Sequence, residues 1–121
     1  MKLKEQILLG IEGAGNSVSV GLMNQGVPLG QIFLNGQKTN SETLLVAIDL
    51  LLQELELERK TLQGICINQG PGSFTSLRVS IATAEALGIS LNVPVYGVNG
   101  LLLIAETVSF YPETIRVIQD A

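Results

Sequence analysis

Asn68-Gln-Gly-Pro-Gly-Ser-Phe-Thr-Ser-Leu77 lies between an apolar run, Gly64 to Asn68, and a second apolar run that opens near Ser73. The first run has the length of a buried strand and the second has helical spacing. Two glycines around a proline turn the chain sharply between them, and Ser73 or Thr75 can cap the helix by accepting a backbone N–H. A strand–turn–helix corner of this kind gathers unpaired N–H groups at one point, which suits a phosphate or carboxylate. The same shape also serves as a plain structural corner.

Working outward, the chain before this corner reads as three strands. Ile7 to Glu12 is the first, Gly13-Ala-Gly-Asn16 turns, and Ser17 to Met23 alternates apolar with small or polar residues. Asn24-Gln-Gly26 turns again into a third strand, Val27 to Leu34. Strands joined by tight turns form an antiparallel meander. The Gly10, Gly13, Gly15 cluster could be mistaken for a dinucleotide fingerprint, but that motif requires a helix after the glycines and a strand follows here.

A first helix is predicted from Ser41 to Glu56. Leu44, Ile48, Leu51 and Leu55 make its apolar stripe, with Leu45 and Leu52 beside it; Glu42, Asp49, Gln53 and Glu56 face the other way. Thr39 with Glu42 fits a capping box, and Asn40 and Ser41 are alternative caps. The second helix runs from Ser73 to Leu91, where Asn92 and Pro94 end it. Val95 to Val98 is a fifth strand, Asn99 to Val108 a third helix, and Thr114 to Ile118 opens a further strand.

The second helix is rich in small residues. Ser76, Ser80, Thr83 and Leu87 form one stripe, with Ala82, Ala84 and Ala86 around them. Small side chains let another surface approach closely. Either the sheet of the same lobe or a helix of a partner fills that role.

Several classes are excluded by composition. The 121 residues carry net charge −4, and the seven basic residues are scattered singly, so no stripe grips nucleic-acid phosphates. Mean hydropathy is +0.41, apolar for a solitary domain, and part of that excess is available to a partner. No apolar run approaches the ~20 residues of a membrane span, and residues 1 to 10 lack a signal-peptide pattern, so a cytoplasmic address is expected. With no histidine and one cysteine, thiolate and imidazole metal sites are out of reach. Cys66, within an apolar strand, reads as a buried structural thiol. Ser73 has no histidine base to activate it as a nucleophile. Glu12, Glu42 and Asp49 could build a two-metal nuclease only if the helix acids turned inward, and their face reads as solvated.

Gly70-Pro-Gly-Ser-Phe-Thr-Ser-Leu-Arg-Val79 resembles the glycine-rich stretch of the bacterial TsaB (YeaZ) family. Ile7 to Glu12, Ser17 to Leu22, Asn40-Ser-Glu-Thr-Leu-Leu45 and Val93-Pro-Val-Tyr-Gly-Val-Asn99 are similar to it in order and spacing. The resemblance covers the whole chain but only the N-terminal half of a family member. It implies an α/β, RNase H-like (actin-like ATPase, ASKHA) lobe, a mixed five-stranded sheet in chain order βββαβαβα. Residues 1–112 would form that lobe and 113–121 the first strand of a second. It also implies a non-catalytic scaffold that pairs with a TsaD-type paralogue in threonylcarbamoyladenosine modification of tRNA. A small TsaE-type ATPase joins that assembly, and a homodimer is an alternative arrangement.

In the paralogue, a His-x-x-x-His pair holds a metal; the corresponding place here reads Asn99-Gly-Leu-Leu-Leu-Ile104. Glu12, Gly70, Gly72 and Ser73 map to the anion or nucleotide corner, and Ser76, Ser80, Thr83 and Leu87 to the pairing surface. The family's Asp-Thr-Ser is Glu12-Gly13-Ala14 here, its histidine before the first helix is Asn40, and its motif glycine is Ser76. Two hydroxyl donors are thereby lost, so no cofactor of the chain's own is expected, and ATP or ADP would enter only with the complex. The competing reading is an ATP-handling actin-like lobe, or the M22 glycoprotease-like peptidase of older labels.

Overall fold

The structure is a computed structural model that describes residues 6–13, 17–35, 40–68 and 74–98. Its elements are β1 (Ile7–Glu12), β2 (Ser17–Asn24), β3 (Val27–Asn35), α1 (Ser41–Glu54), β4 (Leu62–Asn68), α2 (Phe74–Leu91) and β5 (Val95–Val98), with one 3-10 turn at Arg59–Thr61. The third helix, the strand near the C-terminus and the lobe boundary at 112/113 lie outside the described residues.

One sheet runs β3-β2-β1-β4-β5. β1, β2 and β3 are antiparallel neighbours, whereas β4 pairs parallel to both β1 and β5. This is the mixed sheet expected of an RNase H-like lobe. Gln25 and Gly26 both take positive φ, 52° and 81°, so the two-residue turn after β2 is type I′, whose twist matches the strands it joins.

Alternation decides which face is buried. Ile7, Leu9 and Ile11 of β1, Val18, Val20 and Leu22 of β2, and Ile65 and Ile67 of β4 point to one side. α1 covers that side over β2 and β3, and α2 covers it over β4, β1 and β5. Leu44, Ala47, Ile48, Leu51 and Leu52 from α1 and Ala84 and Leu87 from α2 close the core. The opposite face carries Leu8, Gly10 and Glu12, Ser19 and Gly21, Cys66 and Tyr96. Cys66 is therefore half-buried rather than enclosed, because it alternates out of phase with Ile65 and Ile67.

Asn40 settles the helix start: its Oδ1 accepts from the Thr43 N–H at 2.8 Å. α1 ends two residues earlier than its apolar stripe predicts. Glu56 adopts φ 55°, the Leu57 N–H reaches the Leu52 carbonyl at 2.8 Å, and the Glu56 N–H reaches that of Gln53 at 3.1 Å. That pair of bonds is a Schellman end with glutamate in the left-handed position.

Candidate functional site

β1 and β4 run parallel, so their C-terminal ends meet at one edge of the sheet, where the chain turns towards α2. Glu12 closes β1 and Asn68 closes β4. Both side chains point to the face away from the helices, and Asn68 Nδ2 donates to Glu12 Oε1 at 3.0 Å. Asn68 is 0% exposed, so its amide is a fixed donor rather than a solvated one. Burial raises the pKa of the Glu12 carboxyl above the ordinary carboxylate value, since desolvation disfavours the charged form. Burial likewise raises the pKa of the Cys66 thiol.

At this corner an incoming phosphate meets a carboxylate whose neighbouring amide donor is already engaged. Gly70, Gly72 and Ser73, the other members of the sequence-predicted corner, lie outside the described residues. The described residues contain no cluster of three or more His, Cys, Asp or Glu able to hold a metal. Glu42 and Asp49 are exposed as expected, and Asp49 is engaged by Arg59 in a two-pronged ion pair, at 2.8 Å and 2.6 Å.

The small-residue stripe of α2 is turned inward, towards the rest of the lobe. Ser80, Thr83 and Leu87 are buried and Ser76 is half-buried. Ser80 Oγ donates to the Ser76 carbonyl at 2.8 Å and lies 3.5 Å from the Gly13 carbonyl at the end of β1. Thr83 Oγ1 donates to the Val79 carbonyl at 2.8 Å and lies 2.9 Å from Ser41 Oγ at the start of α1. The close approach that small residues permit is used within the lobe, between α2, α1 and the end of β1. Each buried hydroxyl is satisfied by a neighbour, as burial requires.

Other side chains face outward on the same two helices. On α1, Val46 and Leu50 sit four positions apart and are 60% and 46% exposed; on α2, Ile89 is 84% exposed, with Ala82 and Ala86 on its side of the helix. The sequence signal was present in Val46 and Leu50, which interrupt the polar face formed by Glu42, Asp49 and Gln53. Asn68, missed as a site residue, had only its place at the end of an apolar strand to mark it.

Among the described residues no helix is long and apolar enough to cross a membrane.

Sheet order and helix placement define an RNase H-like lobe of the actin-like ATPase class. A family model described as TsaD, tRNA N6-adenosine threonylcarbamoyltransferase, matches residues 34–121, well over half of the chain. The tRNA threonylcarbamoyladenosine biosynthesis protein TsaB of Buchnera aphidicola is 29% identical over 100 residues, 83% of this chain and 47% of that protein. The tRNA N6-adenosine threonylcarbamoyltransferase of Tropheryma whipplei is 32% identical over 111 residues, 79% of this chain and 28% of that protein. The solved structure of YeaZ from Pseudomonas aeruginosa superposes with a TM-score of 0.74 at 27% identity, covering 83% of this chain and 46% of that one. The chain belongs to the TsaB (YeaZ) family, closely related to the TsaD transferases. It spans about half the length of the TsaB and YeaZ relatives.

Proposed function

We infer that the chain acts as a non-catalytic scaffold that pairs with a TsaD-type transferase in threonylcarbamoyladenosine modification of tRNA. The observation that carries this reading is Asn99-Gly-Leu-Leu-Leu-Ile104, which offers no imidazole donor at the place where the resemblance puts the transferase's His-x-x-x-His pair. The chemistry then belongs to the partner, and this lobe supplies packing area. Nucleotide handling belongs to the assembly, including a TsaE-type ATPase, and the scattered basic residues leave the grip on tRNA to other subunits. A cytoplasmic location goes with that role.

The outward sides of α1 and α2 are the surface assigned to the transferase. Val46, Leu50 and Ile89 form apolar anchors on neighbouring helices, and Ala82 and Ala86 permit a close approach. Titrating a TsaD-type protein with the chain, followed by light scattering, should show a complex of defined mass. Ile89→Lys should weaken that complex at least about tenfold, by placing a charge in an apolar contact, with thermal stability unchanged. A chain that binds no TsaD-type protein, or that binds ATP tightly by itself in calorimetry, would sink the reading.

A further inference from the structure

An asparagine amide carries an electrophilic carbon, Cγ, within reach of the main-chain nitrogen of the next residue. Attack is easiest where that next residue has no side chain to obstruct the approach and the asparagine side chain turns freely in water. A hydrogen bond on the amide, or on the nitrogen that would attack it, holds the reaction back. These conditions separate the five asparagines among the described residues.

Four of them are protected. Asn24 Oδ1 accepts from the Gln6 N–H at 3.1 Å, and the Gln25 N–H that follows is itself bonded to the Gln6 carbonyl at 3.2 Å. Asn40 Oδ1 caps α1 through the Thr43 N–H at 2.8 Å. Asn68 is 0% exposed and donates to Glu12. Asn92 precedes β-branched Val93, whose N–H is bonded to the Gly88 carbonyl at 3.0 Å.

Asn35 is the exception. Its side chain is exposed, no hydrogen bond holds it among the described residues, and the next residue in the sequence is Gly36. It is also the last residue of β3, paired with Ser17 where the ladder stops, and strand ends open before strand centres do.

We propose that Asn35 is a modification site, losing its amide by spontaneous deamidation ahead of the other four. The Gly36 nitrogen bonds to Asn35 Cγ, the bond from Cγ to Nδ2 breaks, and ammonia leaves with the proton from Gly36, closing a succinimide ring. Water then opens the ring at either carbonyl. One opening gives aspartate; the other gives isoaspartate, in which the main chain runs through Cβ and Cγ. Either product places a carboxylate on β3, whose residues Val27–Asn35 otherwise carry no charge. Isoaspartate also lengthens the main chain opposite Ser17.

The test keeps the full chain in mildly alkaline native buffer, digests samples at intervals and weighs the peptides. Isoaspartate is read by labelling with a methyltransferase specific for it. The peptide holding Asn35 should convert first, to a mixture of aspartate and isoaspartate, and Gly36→Ala should slow that conversion several-fold. Mapping by peptide keeps Asn35 separate from the Asn99-Gly100 pair, which lies outside the described residues. An Asn35 amide that survives as long as those of Asn24, Asn40, Asn68 and Asn92 overturns the proposal. So does a conversion that Gly36→Ala leaves at the same rate.

Discussion

Glu12 ends its strand with a carboxylate that burial holds above its ordinary pKa, and Asn68 donates to it. The folded chain thus keeps the Glu12 proton to higher pH than the unfolded chain does. Below the unfolded value both states are protonated and ionisation costs nothing. As pH rises through the folded value, the carboxylate becomes the form the fold disfavours, and stability is lost. Glu12→Gln keeps an oxygen for Asn68 and removes that charge. It should raise the melting temperature at about pH 7 and have little effect at about pH 3, where glutamate is neutral. Ser80 tests the α2 stripe. Because the hydroxyl is enclosed between Ser76 and the end of β1, Ser80→Leu should destabilise the fold by about 1–3 kcal/mol in urea unfolding. A variant of unchanged stability that failed only to bind a partner would favour the partner-surface reading instead. Helical spacing showed that Ser76, Ser80, Thr83 and Leu87 share a side. It could not show what stood opposite, because Ser41 and Gly13 come to that side only through the fold.

The two helix ends show how an element boundary becomes visible or stays hidden. Asn92 takes φ 55°, and its N–H and that of Val93 reach back to Ile89 and Gly88. Asparagine tolerates that conformation, so the end at Leu91 was legible. Glu56 does the same work after α1 without any such preference, and the stripe led past the true end at Glu54. Gly88 makes a second element-scale point. In a solvent-facing helix, alanine is favoured over glycine by about 1 kcal/mol. At Gly88 a Cβ would stand 2.6 Å from Val95 Cγ2 and 3.1 Å from the Val93 carbonyl. Gly88→Ala should therefore lower stability by about 1–3 kcal/mol, measured by the denaturant midpoint; a stabilised variant would show that α2 does not press on β5 this closely.

For the molecule as a whole, the outward sides of α1 and α2 form an apolar side-chain surface, with Val46 and Leu50 on one helix and Ile89 on the other. Leu50→Lys on α1 should weaken binding of a TsaD-type protein as Ile89→Lys on α2 does, with thermal stability unchanged, when both are read by light scattering. Loss of binding in only one of the two variants would mean that the contact uses a single helix.

The strands β1, β2 and β3 and the helix cores were written in local pattern: alternation with tight turns for the meander, and three-to-four spacing for α1 and α2. The Gly70 to Arg78 motif carried the family resemblance without coordinates. Tertiary structure alone decided that Glu12 meets Asn68, 56 positions away, and that the small stripe of α2 faces α1 and the end of β1. It also decided which apolar residues are left on the outside. The reason is physical: periodicity reports which side chains share a face, whereas what that face touches depends on contacts between residues far apart in the chain.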